Sequence, residues 1–384
     1  REGNLFLVKL LFNNSESQIT KDGEFNKIIN GKPDWVNEEE FSFARAFDFN
    51  ADNTMLAWIR YDETEVPMFS FPWYKGMNPE LTEYAGYPGS YDYKYPIAGA
   101  KNSVVSVHTF DIKSRATRQI QLPIPADSYV PRIFFTDEAE KLLVLTLNRH
   151  QNQLDIYLAN PRSTECRVIV REQAECYVTE GALKNFEVTP GGFVLMSERS
   201  GYKHLYLYDL NGTLRKQLTN GNYEVTSFYG YDINTGTTYF ASNQESPLRR
   251  SVYKSDAKGR LTRLSSSATG TNSAIFSKNF RYYMNTWSDI NTPTITTLCD
   301  ASGKTLKTLE DNAALRQKLA GLKLGERKFF SFTTSEGIQL NGFMVLPADF
   351  NPSVKYPVVM HQYSGPGSQQ VVDSWSAGNM GGCL

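Results

Sequence analysis

Apolar residues fall in short runs along this chain, many of them alternating with polar ones, and Gly, Asn, Asp and Pro break the runs. Period-two alternation over about 4–8 residues is what a half-buried strand requires. The pattern predicts strands at Leu5–Leu11, Phe47–Phe49, Met55–Tyr61, Val104–Asp111, Arg132–Phe135, Leu142–Leu147 and Leu154–Ala159. It predicts further strands at Asn185–Val188, Phe193–Glu198, Leu205–Asp209, Thr237–Ser242, Ser251–Ser255, Arg281–Thr286 and Thr294–Cys299. Helical periodicity is almost absent before Asn312–Ala320, and Leu315–Leu322 reads as a helical connector.

The strands recur in a degenerate repeat. Phe47-Asp48-Phe49 precedes Met55–Trp58, Phe186-Glu187-Val188 precedes Phe193–Ser197, and Phe276-Ser277 precedes Arg281–Met284. A polar turn separates the two strands each time, and a further strand such as Leu205–Leu210 follows, with a hairpin signal such as Asn211-Gly212. Leu195, Tyr239 and Tyr283 are spaced 44 residues apart. Four strands per roughly 40–50 residues is the pattern of a β-propeller blade. A segment at Thr64–Tyr95, rich in Pro, Tyr, Phe and Gly, interrupts the second unit and reads either as a cavity-lining excursion or as a packed surface loop. Near Gly325 the character changes. Glu326–Thr334 and Ile338–Leu346 form a hairpin pattern, and Tyr356–Tyr363 reads as an apolar strand of the parallel type.

Composition narrows the function. The chain has 384 residues, 40% hydrophobic and 13% aromatic, with a net charge of −1. That is ample for one large domain or two. Near-zero charge without a Lys/Arg run argues against nucleic-acid binding, and no apolar run approaches the ~18 residues of a membrane span. The chain opens at Arg1 without an initiator Met, so the lack of a signal peptide is silent on export. Cys166, Cys176, Cys299 and Cys383 lack metal-ligand spacing; Cys166 and Cys176 read as a hairpin disulfide or as free buried thiols.

The stretch with the most chemistry is Asp34-Trp35-Val36-Asn37-Glu38-Glu39-Glu40-Phe41. Three successive carboxylates between large apolar side chains need a cation nearby to stay charged. One reading is structural: Asn37 caps a helix, Glu40 completes a capping box, and Glu38 and Glu39 occupy the first turn. The other is capture of an ammonium group. A peptide amino terminus, with pKa near 8, offers three charged donors to carboxylates that only accept. Side chains at i and i+1 diverge by about 100° on a helix, so two can reach one ammonium from two sides.

Asp-Trp-Val-x-Glu-Glu-Glu-Phe resembles the double-glutamate helix of the dipeptidyl peptidase IV family, serine exopeptidases with a β-propeller and an α/β-hydrolase domain. The order Tyr95-Pro96-Ile97-Ala98-Gly99, with Asn102 after it, and then Tyr363-Ser364-Gly365-Pro366 with Ser368, resembles the same family. The resemblance implies that Glu39 and Glu40 hold the substrate's free amino terminus, with Glu38 and Glu39 as the alternative pair, so that cleavage falls after the second residue. It implies that the hydroxyl of Tyr363 is an oxyanion-hole donor; read without the family, Tyr363 is a partly buried aromatic at a strand end. His361 shares a strand face with Tyr363, and it reads as structural, as do His108, His150 and His204.

No Gly-x-Ser-x-Gly elbow, His-Glu-x-x-His motif or Walker loop occurs. By resemblance, the nucleophile, acid and histidine lie past Leu384, and the first blade and a substrate-binding arginine precede Arg1. The expectation is therefore a β-propeller (eight-bladed in the family) over residues 1–324 and the start of an α/β-hydrolase domain over 325–384. The whole enzyme releases X-Pro or X-Ala dipeptides; this piece alone hydrolyses nothing. No cofactor is implied, peptides with free amino termini are the partners, and resemblance suggests homodimerisation and export. Two alternatives stand beside this: a non-catalytic propeller that binds proteins, and a sister tripeptidyl or acylaminoacyl peptidase, against which the glutamate pair argues.

Overall fold

Leu142–Leu147 and Gly192–Ser197 are buried at every position. A strand covered on both faces has no polar side to show, which is why each is a nearly continuous apolar run, broken only by Thr146 and Ser197, instead of an alternation. In the computed structural model, which describes residues 1–74, 87–267, 269–363, 365 and 367–375, such strands form the centres of stacked antiparallel sheets. The chain divides into two compact units, Arg1–Gly201 with Leu205–Gln217, and Tyr202–His204 with Leu218–Leu384.

In the first unit, Tyr129–Phe135, Leu142–Leu147, Gln153–Ala159 and Cys166–Gln173 make a four-stranded antiparallel sheet in chain order. Glu187–Thr189, Gly192–Ser197, His204–Asp209 and Leu214–Gln217 make another. A five-stranded sheet joins Ile28–Asn30, Met55–Asp62, Val104–Asp111 and Thr117–Gln119, with Phe47–Phe49 also paired to Met55–Asp62. Two apolar layers hold these sheets together. Ala57, Ile59 and Val107 meet Val130, Leu142 and Val144 in one, and Leu143, Leu145 and Ile156 meet Phe193, Leu195 and Tyr206 in the other.

The second unit repeats the plan. Val225–Asp232, Thr237–Ser242, Ser251–Ser255 and Leu261–Arg263 form one sheet, and Thr271–Phe276, Tyr282–Ser288, Ile295–Asp300 and Thr305–Glu310 the next. Between these sheets Tyr239, Val252, Leu264, Ala274, Tyr283 and Cys299 form a core. A helix at Ala313–Ala320 with no buried residue, as a connector would have, leads to the hairpin of Glu326–Thr333 with Gln339–Leu346.

A recurrence in both units escaped the pattern reading. Asp111, Asn160, Asp209, Asp256 and Asp300 each sit at or just past the end of the third strand of a sheet. Each accepts backbone N–H groups from the turn that follows. Consecutive members lie 44–49 residues apart, in step with the blades. They are side-chain turn formers that satisfy the backbone N–H groups of the turn and fix its course.

Two expectations need correction, and a third gains detail. The strand from Leu5 ends at Lys9, because Asn13 and Asn14 take left-handed backbone in a tight turn that leaves Leu10 and Leu11 exposed; its partner is Ser15–Gln18. The Thr64–Tyr95 excursion contains an exposed hairpin, Met68–Trp73 with Gly89–Lys94, and residues 75–86 lie outside the described part. Tyr356–Tyr363 joins no ladder among the described residues, and Val358, Val359 and Met360 are exposed. A parallel strand is stable only between neighbours that cover it, and none of the described strands plays that part.

Candidate functional site

The acidic stretch does form a helix, α1, at Trp35–Glu39, but its cap is Asp34 and not Asn37. Asp34 is extended, and its Oδ1 accepts from the backbone N–H of Asn37 at 2.9 Å and from Asn37 Nδ2 at 2.7 Å. Oδ2 accepts from the Ser103 hydroxyl at 2.6 Å. Asp and Asn are both good caps. Asp34 wins because its carboxylate accepts from all three donors at once, whereas an Asn37 cap would leave Asp34 buried without them. No capping box forms with Glu40, which is the C-cap and donates its backbone N–H to Val36 O.

Around the cap the helix is wedged on several sides. The Trp35 ring meets Tyr95 edge-on with centroids 4.3 Å apart, and Phe41 meets Tyr129 edge-on at 5.4 Å. Arg132 donates from Nη2 to the carbonyl of Phe41 at 2.7 Å and lies 4.6 Å over the ring of Phe43. Ser42 is left-handed, so the chain turns sharply at the helix exit. Tyr95 ends the excursion, Ser103 directly precedes the strand Val104–Asp111, and Tyr129 and Arg132 come from the neighbouring sheet. The short helix is thus held by tertiary contacts, since five residues have too few internal bonds to hold themselves.

Glu38, Glu39 and Glu40 are all exposed, and among the described residues no side-chain hydrogen bond or ion pair engages them. Glu39 and Glu40 stand at the C-terminal end of α1, where exposed carbonyls disfavour negative charge, and the last turn has no basic residue. Two adjacent carboxylates there are placed against the helix's own electrostatics. A cation bound there would relieve that cost.

Glu38 differs from its neighbours. It lines a cavity of about 440 Å³ together with Asp34, Trp35, Glu63 and Lys94, which Glu39 and Glu40 do not line. Glu63 is buried, and burial pushes its carboxyl up to about 7; the negative charge of Asp34 adds to this and the Lys94 ammonium opposes it. Lys94 Nζ itself donates to the carbonyls of Thr64 and Val66 at 3.0 and 2.7 Å. Glu63 was not singled out by sequence. Nothing marks it locally, because its environment comes from residues about thirty positions away on either side.

In the second unit, Tyr363 is exposed. A Cβ built on Gly365 would come within 2.7 Å of the Tyr363 ring and 2.9 Å of its hydroxyl, so the Tyr-x-Gly spacing lets backbone pass against the phenol where a larger residue would displace it. Glu39 and Glu40 belong to the first unit and Tyr363 to the second.

His108 stacks on Trp58 and shares a 2.9 Å hydrogen bond with Ser106; burial holds its pKa down at about 4. His204 bonds Thr219 and the Gly221 carbonyl, a structural arrangement. Cys166, Cys176 and Cys299 are free thiols, and Cys176 is exposed where a buried thiol was expected; Cys383 lies outside the described residues. No described helix is long and apolar enough to cross a membrane.

Comparison with known proteins agrees with this geometry. Residues 1–294 match the family model for the dipeptidyl peptidase IV (DPP IV) N-terminal region. The chain is 30% identical over 381 residues to dipeptidyl peptidase 4 of Trichophyton rubrum, covering 96% of this chain and 48% of that protein. It is 32% identical over 374 residues to dipeptidyl peptidase 4 of Arthroderma otae, covering 94% and 47%. Among solved structures, Porphyromonas gingivalis dipeptidyl peptidase 4 superposes with a TM-score of 0.91 at 44% identity, over 98% of this chain and 53% of that one. A putative dipeptidyl aminopeptidase IV from Bacteroides ovatus shares the fold, with a TM-score of 0.80 at 21% identity, over 98% and 56%. The chain spans about half the length of the curated relatives it matches. The four-stranded sheets are accordingly blades of a β-propeller, and the chain belongs to the dipeptidyl peptidase IV family.

Proposed function

We propose that this chain is part of a serine exopeptidase that releases N-terminal X-Pro or X-Ala dipeptides, and that Glu39 and Glu40 bind the substrate's free amino terminus. The observation behind this is the helix end itself: two adjacent exposed carboxylates without a partner among the described residues, on a helix fixed by a buried cap. In water a lone ammonium–carboxylate pair contributes little. Two acceptors held rigidly in advance lose little entropy on binding, so more of the interaction appears as affinity.

The ruler follows from chain dimensions. An extended dipeptide places its scissile carbonyl about 7 Å from its ammonium. Holding the ammonium therefore selects which peptide bond is cut, and Tyr363 is assigned as the oxyanion donor. Its phenol O–H stabilises the charge that develops on the carbonyl oxygen as the serine attacks. Residues 1–324 are the propeller and 325–384 the start of the hydrolase domain. Export and homodimerisation follow the family. An acylaminoacyl specificity, which takes a blocked and uncharged amino end, would have no use for a paired carboxylate at this helix end.

The product is the test. Mass spectrometry of an X-Pro peptide treated with the full-length protein is expected to show intact dipeptides, while the 384-residue chain alone releases nothing. Single residues or tripeptides as first products would overturn the reading.

A further inference from the structure

Ten residues past Tyr363, Asp373 is a buried carboxylate with no role in the reaction as described so far. Its Oδ2 accepts from the backbone N–H of Gly270 at 3.0 Å and from Arg249 Nε at 3.3 Å, and its Oδ1 accepts from the N–H of Ile290 at 3.0 Å. Its own N–H donates to Leu248 O at 2.7 Å, and the N–H of Trp375 donates to the Ser288 hydroxyl at 3.1 Å. One short segment is thereby tied to loops of both propeller sheets in its unit.

The other flank of the tyrosine segment reaches the same place. Arg327, in the hairpin before Tyr363, donates from Nη1 to the carbonyl of Ile290 at 3.3 Å and lies 5.5 Å over the ring of Trp375. Ile290 is therefore a shared knot, with its carbonyl held from upstream of Tyr363 and its N–H from downstream. Asp289 stiffens that loop by accepting from the N–H groups of Asn291 and Thr292 at 2.9 and 2.6 Å.

A carboxylate this buried is retained only if its acceptors are filled, and here they are. Among the described residues the tyrosine segment makes no ladder bonds of its own, and the contacts of Asp373 downstream and of the hairpin upstream hold it from either side. We propose that Asp373 is a positioning residue for Tyr363: it clamps the downstream end of the tyrosine segment onto the propeller and so sets where the phenol O–H is presented. This rests on the reading of Tyr363 as the oxyanion donor.

The test is a double-mutant cycle in the full-length enzyme, with Tyr363→Phe, Asp373→Ala and the two combined, assayed on a dipeptidyl-proline chromogenic substrate. Asp373→Ala should lower kcat about 10-fold with KM changed less than about two-fold, because a small misplacement of a reacting group acts on the transition state. On the Tyr363→Phe background the same change should cost almost nothing. If the Ala variant does not fold, Asp373→Asn carries the cycle, since it keeps Oδ1 and sets an amide N–H against the donors of Gly270 and Arg249. A full loss repeated on the Tyr363→Phe background, an unchanged kcat in folded Asp373→Ala, or a loss confined to KM would overturn the clamp. Wild-type kcat in Tyr363→Phe would instead overturn the oxyanion reading, and the clamp with it.

Discussion

Replacing Glu39 and Glu40 together by Gln in the full-length enzyme is expected to lower kcat/KM on a dipeptidyl-proline substrate by about 10²–10³-fold. Each charge-assisted bond from the substrate ammonium contributes roughly 1.5–3 kcal/mol, and Gln keeps the shape and an acceptor but not the charge. Two such losses, discounted for the water that reaches an exposed helix end, give the stated range, since 1.4 kcal/mol is a factor of ten. Stability should hardly change, because neither side chain has a partner among the described residues. The same logic sets a pH dependence. The substrate ammonium deprotonates near pH 8, so wild-type kcat/KM should fall above that value, and the Gln pair should flatten the fall. Glu38→Gln separates the two candidate pairs. A loss matching that of Glu39→Gln would move the pair to Glu38 and Glu39, the first of which lines the neighbouring cavity.

Asp34→Ala is expected to destabilise the first unit by about 3 kcal/mol in denaturant unfolding. It removes a buried carboxylate that accepts from Asn37 N, Asn37 Nδ2 and the Ser103 hydroxyl. All three donors would be left in a place water reaches poorly, and each unpaired buried donor costs roughly 1–3 kcal/mol. Ser103→Ala removes one donor and leaves Asp34 its other two partners, so it should cost about 1 kcal/mol. If Asp34→Ala unfolds no more easily than Ser103→Ala, the cap does not hold the helix. In the full-length enzyme the surviving fold should also show a raised KM, because the platform under Glu39 and Glu40 is loosened.

The propeller was readable from sequence because its blades depend on local rules. Each strand must be short, apolar on the covered faces and closed by a turn, and Phe193–Ser197 and Leu142–Leu147 announce themselves on those terms. The acidic run and the Tyr-x-Gly-Pro motif were likewise visible, because their chemistry lies in neighbouring residues. What stayed hidden depends on distance along the chain. The partner of Asp34 is Ser103, the support of Phe41 is Arg132, and the donors to Asp373 come from Arg249, Gly270 and Ile290. No local pattern encodes pairings across so many residues. The capping error was of a different kind: Asp34 and Asn37 are equally good caps by type, and only the third donor decides between them. The Tyr356–Tyr363 run misled because an apolar run specifies burial, while pairing needs neighbours that the described residues do not supply.

The idea that two carboxylates measure a peptide from its amino end is tested most directly by blocking that end. The measurement is kcat/KM of the full-length enzyme on one dipeptidyl-proline substrate, free and N-acetylated. Acetylation removes the positive charge and two of the three donors. Hydrolysis of the acetylated form at less than about one-hundredth of the free rate is the predicted result; equal rates for the two forms would contradict it.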